Sequence, residues 1–376
     1  MKIVFWLDIP SHHQSAFLSA ISRYPGIDLQ VRYRNAQDTS RIKQGWTAVK
    51  LFEYEKVLPF GILKIEKMDG ILVDWQERIH IFSFRVFPDL LSILDSTHVR
   101  WFHWAERGGQ VVASLTGFRP WLYRLLMPVY LYLWKLKDSW ILRHKASGVL
   151  CLGRLNREYF RTLGVPEGKL HDLYYAVAPV AEVSPDKEIE DFAHGRKCLL
   201  YMGSLQKRKG IDLLIRAFAQ LNASDWCLIL CGSDFSNGKY EQLVRKIQRV
   251  DSIMFYGKCS SDRTAAIYHS ADVFVFPTRY DGWGMVLQEA ASSGLPLIGT
   301  DMAGASFEVI VNGQNGIIIP SDNVNALTEA MRFFVEESEQ IAKYGEKSKR
   351  LFQEKMSVEK NVERLFTCLT ACKNGK

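Results

Sequence analysis

Short apolar runs alternate with longer amphipathic segments along this chain, and this alternation constrains the fold more than any other feature. In the second half, the runs KCLLYMG, WCLILCG, IMFYG, DVFVFP and PLIGT are separated by segments with apolar residues at helical spacing, such as GIDLLIRAFAQL. Strands that are apolar on both faces and separated by helices are typical of parallel sheets covered on each side. The second half is therefore predicted to be a doubly wound α/β domain.

The first half shows the same alternation less regularly. KIVFWLD, IDLQVRY, GILVDW, HVRWFHW and SGVLCLG are predicted strands, and SHHQSAFLSAISRY is a predicted helix. We predict an N-terminal Rossmann-like domain over residues 1–180, a linker over about residues 181–196 and a C-terminal Rossmann-like domain over residues 197–350. A C-terminal helix over residues 351–376 is expected to pack back on the N-terminal domain. The two parallel sheets are expected to face a deep interdomain cleft.

Composition and charge indicate which partners and which cellular compartment to expect for the protein. The 376 residues include 48 Lys and Arg against 41 Asp and Glu, and the net charge of +7 favours anionic partners without selecting one. The seven cysteines are scattered without a C-x-x-C pair, which favours reduced thiols in a cytoplasmic protein. The start, MKIVFWLDIPSHH, is too short and too soon interrupted for a signal peptide, and no apolar run approaches the roughly 20 residues of a membrane span. No nucleic-acid-binding motif is present.

The segment FPTRYDGWGMVLQEAASSG predicts a ligand site, because ligands of such sheets bind beyond the carboxyl ends of the strands. Gly282 and Gly284 let backbone N–H groups approach a ligand, and the following helix start attracts anions. Asp281 and Glu289 stand eight positions apart, about 12 Å or less along a helix. This spacing is too long for a shared proton but suits two hydroxyl-bearing groups with a diphosphate between them, the layout of a nucleotide sugar.

This motif resembles that of the retaining glycosyltransferases of family 4 (glycosyl transferases group 1), which have the GT-B fold. The resemblance rests on an acid, seven residues and Glu within Y-acid-G-aromatic-G-x-x-x-x-E-A. It extends to YMGSLQKRKGIDLLIRAFAQL, with the signature G-x-x-x-x-x-K-G at Gly203, Lys209 and Gly210, and to DMAGASFEVIVNGQNGIIIP. The likeness is specific from about residue 197 to 345 and weak over the first half.

The resemblance implies a hexosyltransferase that moves a sugar from a nucleotide-diphosphate donor to a glycan or lipid-linked acceptor in bacterial surface polysaccharide synthesis (lipopolysaccharide, O-antigen or capsule-like). It implies no cofactor and no metal, and the chain contains no D-x-D sequence. Asp281 would contact the transferred sugar, Glu289 the ribose and Lys209 the diphosphate, with His103 near the reacting sugar. The implied catalytic residues are His103, Asp281 and Lys209. The implied donor-binding residues are Gly203, Ser204, Arg208, Lys209, Asp281, Gly282, Trp283, Gly284, Met285, Val286 and Glu289.

Two positions depart from the family pattern. Ser204 stands where the family usually has an arginine that also binds diphosphate. Arg208 or Lys207 is the candidate to replace that missing arginine. The first acid is Asp281 rather than glutamate. Its side chain is shorter by one methylene, so a different sugar preference or a small shift of the donor is expected.

Acceptor contacts are assigned to the N-terminal half. His12 and His13 follow the first strand, and Glu106 follows His103, so these three residues are candidate acceptor-binding residues. The alternative for His12 and His13 is a turn explained by helix capping through Ser11, and the alternative for His103 is a packed histidine of the core.

The segment over residues 117–148 is rich in basic and aromatic residues. It carries six Lys or Arg, one Asp and seven aromatic residues, which suits peripheral contact with an anionic inner membrane on its cytoplasmic face. The alternative is an ordinary buried helix with a basic edge.

Three other functions compete with sugar transfer. One is a different nucleotide-sugar enzyme of this shape, such as an epimerase, and another is a non-catalytic membrane or sugar-binding scaffold. A nicotinamide-dependent oxidoreductase would need G-x-G-x-x-G after a strand, whereas the first strand is followed by IPSHHQ, which has no glycine.

Overall fold

The computed structural model divides into two compact units, and each has its own parallel sheet. The structure describes residues 1–37, 49–59, 63–221 and 223–371. The first unit contains Met1–Gly108, Pro128–Val177 and the chain from Val358 onward. The second unit contains Gly109–Met127 and Ala178–Ser357. The short segment before residue 128 therefore belongs to the second unit, although the sequence pattern suggests an N-terminal domain that is continuous to residue 180.

The sheet of the first unit is wholly parallel within the described residues. Its strands are β1 (Lys2–Leu7), β2 (Asp28–Tyr33), β3 (Glu55–Val57), β4 (Ile79–Phe82), β5 (Trp101–Trp104), β6 (Gly148–Cys151) and β7 (Leu170–Asp172). They lie in the order β3-β2-β1-β4-β5-β6-β7, so the direction of winding reverses between β1 and β4. The central strands β4, β5 and β6 are buried along their whole length, as expected for a sheet covered on both faces.

The sheet of the second unit repeats this arrangement. Its strands are β8 (Lys197–Met202), β9 (Trp226–Cys231), β10 (Ile253–Gly257), β11 (Val273–Phe276), β12 (Leu297–Thr300) and β13 (Gly316–Ile319). They lie in the parallel order β10-β9-β8-β11-β12-β13, and the winding reverses between β8 and β11. A reversal point of this kind opens a crevice at the carboxyl edge of the sheet, where ligands bind.

Helices cover both sheets. Numbered along the described residues, they are α1 (His12–Ser22), α2 (Met68–Ile71), α3 (Pro88–Ser96), α4 (Gln110–Leu115), α5 (Pro120–His144), α6 (Gly153–Thr162), α7 (Lys187–Ala193), α8 (Ile211–Ala219), α9 (Lys239–Lys246), α10 (Thr264–His269), α11 (Met285–Ser292), α12 (Ser306–Val309), α13 (Val324–Glu336), α14 (Gln340–Leu351) and α15 (Val358–Ala371). None of the helices in the described ranges combines the length and the apolar character needed to cross a membrane.

The predicted strand GILVDW is wrong. The chain instead forms α2 and then turns at Asp74, whose φ is 59°. Leu72 and Trp75 are buried singly while Val73 between them is exposed, so this apolar run anchors a turn. The strand that pairs with β1 is β4, with the sequence IHIF. Its His80 is buried and satisfied, because one ring nitrogen accepts the indole N–H of Trp6 and the other bonds to the carbonyl of Trp75.

The chain ends in the first unit. A π-helical turn over Phe352–Met356 follows α14 in the second unit, and α15 then packs on α1, with the rings of Tyr24 and Phe366 4.3 Å apart. The side-chain carbonyl of Asn361 in α15 accepts the backbone N–H of Tyr174. Residues 372–376 of the predicted C-terminal helix lie outside the described residues.

The predicted linker contains a helix. Within residues 181–196, α7 begins after Asp186, whose side chain accepts the N–H groups of Glu188 and Ile189. Ile189 and Ala193 are buried, so apolar anchors and a capping aspartate order this segment.

Candidate functional site

The loop between β11 and α11 is held by close backbone contacts with two neighbouring loops. Gly210 has φ of 75°, and a Cβ atom there would lie 2.1 Å from the carbonyl oxygen of Pro277. A Cβ atom on Gly304 would lie 2.2 Å from the carbonyl oxygen of Gly282. Only glycine fits at Gly210 and Gly304, so the loop carrying Asp281 is clamped between the loops that follow β8 and β12.

Two cations meet the carboxylate of Asp281. The ammonium group of Lys209 forms an ion pair with Oδ2 of Asp281, and a guanidinium nitrogen of Arg208 lies 3.1 Å from the same oxygen. Arg208 also donates to the carbonyl of Tyr280 at 2.8 Å. The other carboxylate oxygen accepts the backbone N–H of Trp283 at 3.2 Å. Asp281 is therefore fixed between the basic loop after β8 and the start of α11.

Asp281 stays ionised in this setting. Its burial opposes the charged form, but the positive charges of Lys209 and Arg208 and the hydrogen bonds to the carboxylate outweigh burial and lower the pKa of Asp281 below 3.8. Lys209 also lies over the ring of Phe276, 4.8 Å from its centroid. The site therefore combines two cations with one carboxylate, so it can bind an anion beside a hydroxyl group.

Arg208 rather than Lys207 is the second cation of this cluster. Ser204, where the family arginine is expected, instead accepts a hydrogen bond from Gln206 at 2.6 Å. Lys207 is exposed, and its ammonium group lies near Gly117. Of the two alternatives left open by the sequence, the structure brings Arg208 to Asp281.

Arg279 holds the cluster in place, and sequence reasoning missed it. Its guanidinium group is 6% exposed and donates to both carboxylate oxygens of Asp212, to Asp322 and to the carbonyl of Lys207. The backbone N–H of Arg279 donates to the carbonyl of Arg208. Arg279 thus connects the loop after β11 with the basic turn and with the first turn of α8. No local pattern distinguishes this arginine from a solvent-exposed one.

Glu289 lies in α11, on the same loop-and-helix unit as Asp281. The hydroxyl of Tyr268 donates to Oε2 of Glu289 at 2.8 Å. Tyr268 is fully buried, and its burial and the negative charge of Glu289 raise the pKa of its hydroxyl well above 10. The hydroxyl is therefore a fixed donor that orients the carboxylate. Tyr268 was not predicted, because the sequence of α10 marks it only as a core residue.

The helix start completes the site. α11 begins after Gly284, which has φ of 98°, and Met285 and Val286 form its first turn, where backbone N–H groups have no helical partner. Trp283 is buried, and its indole N–H donates to Gln288 at 3.1 Å. At the end of β8, Gly203 has φ of 140°. Lys209 follows β8 and Asp281 follows β11, so the site lies at the reversal point of this sheet.

His103 lies in the core of the first unit. It is the third residue of β5, is 3% exposed, and packs between the rings of Phe84 and Phe160. Its Nδ1 has no hydrogen-bond partner among the described residues. Burial, together with the positive charge of Arg85, lowers the pKa of His103 to about 3, against a backbone hydrogen bond to Phe82 that raises it. The imidazole is therefore neutral at physiological pH.

The other predicted acceptor-binding residues also belong to the first unit. His12 begins α1 and is exposed, and His13 is half-buried. Ser11 precedes them as the N-cap residue, but its side chain makes no capping hydrogen bond within the described part of α1, so capping does not explain this turn. Glu106 is exposed and follows the end of β5.

A metal site needs several ligating side chains close together. Within residues 1–37, 49–59, 63–221 and 223–371, no three His, Cys, Asp or Glu side chains come together in a group that could hold a metal ion.

Comparison with known proteins finds similarity to one family within the second unit. Residues 183–351 match the family described as glycosyl transferases group 1. The chain is similar to a glycogen synthase of Mycobacterium tuberculosis, at 27% identity over 201 residues, which is 52% of this chain and 47% of that protein. It is also similar to the lipopolysaccharide core biosynthesis mannosyltransferase LpsB of Rhizobium meliloti, at 28% identity over 149 residues, 37% of this chain and 42% of that protein. The chain spans about half the length of the curated relatives it matches.

Solved structures show the fold of the whole chain. Anabaena Alr3699/HepE in complex with UDP has a TM-score of 0.74 and 15% identity, covering 99% of this chain and 100% of that one. The lipopolysaccharide outer core galactosyltransferase WaaB in its apo form has a TM-score of 0.71 and 14% identity, covering 99% of each chain. The predicted fold class is confirmed: the protein has two parallel-sheet, Rossmann-like units of the GT-B type.

Proposed function

We propose that the protein is a retaining glycosyltransferase of family 4. It transfers a hexose-type sugar from a nucleotide-diphosphate donor to a glycan or lipid-linked acceptor in bacterial surface polysaccharide synthesis, such as lipopolysaccharide, O-antigen or a capsule-like polymer. One observation carries the proposal: Lys209 and Arg208 converge on Asp281 at the reversal point of the second sheet, beside the helix that carries Glu289.

The donor fits this arrangement group by group. Lys209 and Arg208 supply positive charge for the diphosphate, together with backbone N–H groups from Gly284 to Val286 at the start of α11. Asp281 accepts hydrogen bonds from the hydroxyls of the transferred sugar. Glu289, oriented by the buried Tyr268, accepts the paired hydroxyls of the ribose.

The chemistry follows from where negative charge develops. When the bond between sugar and diphosphate breaks, the departing diphosphate gains charge, and cations that are already fixed in place stabilise it without reorganisation. Asp281 holds Lys209 and Arg208 in place through ion pairs, so the two cations are oriented in advance. We propose that no metal is needed for this step and that the leaving phosphate takes the proton of the acceptor, so that the anomeric configuration is retained.

Relatives support the choice of substrate. The HepE structures contain UDP, UDP with glucose, or UDP-glucose, and LpsB and WaaB are named for lipopolysaccharide synthesis. A nucleoside diphosphate is therefore the donor product we propose for this chain. His12, His13 and Glu106 are proposed to bind the acceptor, and His103 to lie near the reacting sugar. Residues 117–148 are proposed for peripheral contact with the cytoplasmic face of the inner membrane.

Transfer itself is the test. The protein is incubated with radiolabelled UDP-, GDP-, CDP- or ADP-hexose and a bacterial lipid extract, with a chelator present, and label is counted in the lipid phase. Transfer with one donor, abolished in Asp281→Asn, supports the proposal, and NMR of the product reports the anomeric configuration. Conversion of the free donor sugar without transfer would instead indicate an epimerase. No turnover at all, with intact nucleotide binding, would indicate a scaffold.

A further inference from the structure

Two cysteines of the second unit meet at the carboxyl edge of its sheet. Cys231 is the last residue of β9 and is fully buried, and Cys259 lies two positions after Gly257, the end of β10, and is half-buried. The thiol of Cys231 lies 3.7 Å from the carbonyl oxygen of Gly257 and donates a hydrogen bond to the sulfur of Cys259. The two form a pair, here called the edge dithiol, at the edge where ligands of such sheets bind.

The two sulfur atoms differ in reactivity. The hydrogen bond from Cys231 lowers the pKa of Cys259 to about 6 against the effect of burial, and the hydroxyl of Thr264, 3.8 Å from the sulfur, acts in the same direction as Cys231. Cys259 is therefore mostly a thiolate at neutral pH. The same hydrogen bond and burial raise the pKa of Cys231, which keeps its proton. An accessible thiolate beside a protonated thiol is the arrangement of a redox-sensitive pair.

Helix α10 connects the edge dithiol with Glu289. Thr264, which contacts the sulfur of Cys259, begins α10, and Tyr268 stands one helical turn later and donates to the carboxylate of Glu289. The sulfur groups of Cys231 and Cys259 also act electrostatically on the hydroxyl of Tyr268, so they lie close to it. A change in the bonding of Cys259 therefore affects the carboxylate that is proposed to bind the ribose.

We propose that Cys231 and Cys259 form a reversible disulfide when a hydroperoxide is present, and that this disulfide weakens binding of the nucleoside diphosphate. A covalent bond brings two sulfur atoms closer together than a hydrogen bond does, so Cys259 moves towards β9 and loses its contact with Thr264. The start of α10 then shifts, and the hydroxyl of Tyr268 no longer orients Glu289. The inference rests on the proposed function and adds regulation to the same site.

The oxidation needs a hydroperoxide as its only co-reactant. The thiolate of Cys259 attacks one oxygen of hydrogen peroxide, the O–O bond breaks, and the departing hydroxide takes a proton from solvent, which leaves a sulfenic acid on Cys259. The sulfur of Cys231 then attacks that sulfur. The S–S bond forms, the S–O bond breaks, and the hydroxyl leaves as water with the proton of Cys231. The two sulfur atoms together lose two electrons, which the peroxide gains, and a dithiol such as dithiothreitol reverses the reaction by exchange.

Peroxide treatment of the full chain tests the disulfide and its effect. Thermal shifts first identify which of UDP, GDP, CDP and ADP binds the reduced protein. Calorimetric titration then measures its affinity before and after hydrogen peroxide, and mass spectrometry of the alkylated, digested protein locates the disulfide. We expect a disulfide between Cys231 and Cys259 and an affinity lower by about tenfold, the loss expected when one hydrogen bond to a charged group is broken. Dithiothreitol should restore the affinity.

Variants separate the disulfide from other oxidation. Cys259→Ser should keep the affinity of its own reduced form after peroxide, and Cys231→Ser should stop at a sulfenic acid on Cys259 that dimedone traps. The matched control is the pair Cys198 and Cys227, whose sulfur atoms lie 3.3 Å apart but are buried in β8 and β9. This pair should stay reduced, because peroxide does not reach it. Cys198→Ala should therefore lose affinity on treatment as the wild type does.

Three results overturn the inference. They are the absence of a disulfide between Cys231 and Cys259, an unchanged nucleotide affinity once that disulfide has formed, and a loss of affinity in treated Cys259→Ser equal to that of the wild type. The proposed function fails in a different way. If the reduced protein binds none of the four nucleoside diphosphates, the donor site is wrong and the regulation falls with it. If the reduced protein binds one of them and transfers sugar while peroxide changes neither, only the inference about the edge dithiol is wrong.

Discussion

Lys209 and Asp281 are 72 residues apart in the sequence, yet their side chains form an ion pair between the loops that follow β8 and β11. Those strands are neighbours at the point where the second sheet reverses its winding. The pair therefore joins the basic turn, the loop carrying Asp281 and the start of α11. The predictions below test what fixes this arrangement and what it binds.

Arg279 is expected to be the main structural support of the site. Arg279→Leu leaves the carboxylates of Asp212 and Asp322 without their buried partner, so it should lower the free energy of unfolding by about 3 kcal/mol. Affinity for a nucleoside diphosphate should fall as well, because the basic turn loses its tie to the loop. Urea denaturation and calorimetric titration measure the two effects.

A second arginine gives the control for Arg279. Arg332 pairs with Glu329 on the surface of α13, and Arg332→Leu should change stability by no more than about 0.5 kcal/mol. If Arg279→Leu costs no more than Arg332→Leu, the supporting role assigned to Arg279 is wrong.

Glu289 is expected to support stability by accepting the hydrogen bond from Tyr268, and nucleoside binding through the negative charge of its carboxylate. Glu289→Ala leaves the buried hydroxyl of Tyr268 with only a 3.5 Å contact to the carbonyl of Val286, which should cost about 1 to 3 kcal/mol of stability. Glu289→Gln keeps an acceptor for Tyr268, so its stability should stay close to that of the wild type. Both variants should bind nucleosides more weakly, because the carboxylate is gone. If Glu289→Gln and the wild type bind nucleosides with equal affinity, Glu289 is not part of the ribose site.

Asp281 is expected to make the free energy of unfolding depend on pH in the acidic range. Its pKa is lowered in the folded state, so its contribution is fully present above the pKa of 3.8 of the free group and is lost as pH falls through the lower, folded value. Asp281→Asn should therefore cost about 2 kcal/mol at neutral pH and progressively less below pH 3.8. Urea denaturation of the wild type and of Asp281→Asn over this pH range measures the difference between their free energies of unfolding. A difference that stays constant or grows on acidification contradicts the ion-pair account.

The imidazole of His103 is expected to remain neutral at physiological pH. With its pKa lowered to about 3, its ring resonances in NMR should not titrate near 6.5, the value of the free side chain. Between those two values the unfolded chain binds a proton that the folded chain does not, so His103 makes stability fall as pH drops. His103→Gln should remove this slope. A titration midpoint near 6.5 would instead make His103 available as a charged group.

Much of the second unit was predictable from local patterns. Its strands are continuous apolar runs, and glycine-rich loops at their carboxyl ends identify the site. The ion pair between Lys209 and Asp281 was not predicted. It follows from the topology, because parallel pairing of β8 with β11 brings their following loops together. The choice of Arg208 over Lys207 needed the geometry of the turn, since adjacent basic residues look alike in a sequence.

The failures have a common physical cause. In GILVDW, Leu72 and Trp75 are buried one by one in a turn, and an apolar run alone does not distinguish this from a strand. Tyr268 and Arg279 act through partners that tertiary packing selects, and neither stands in a local motif.

Nucleotide binding by wild type, Lys209→Ala and Lys207→Ala tests the central claim most directly. Thermal shifts and calorimetric titrations are run with UDP, GDP, CDP, ADP, the corresponding nucleosides and NAD, with a chelator or with magnesium. We predict that one nucleoside diphosphate stabilises the wild type in chelator. Its affinity should fall about 30-fold, or about 2 kcal/mol, in Lys209→Ala, because a charged hydrogen bond to the diphosphate is lost. Nucleoside affinity should change little, and the exposed Lys207→Ala should match the wild type. Stabilisation by NAD alone, a strict need for magnesium, or an unchanged affinity in Lys209→Ala would contradict the account.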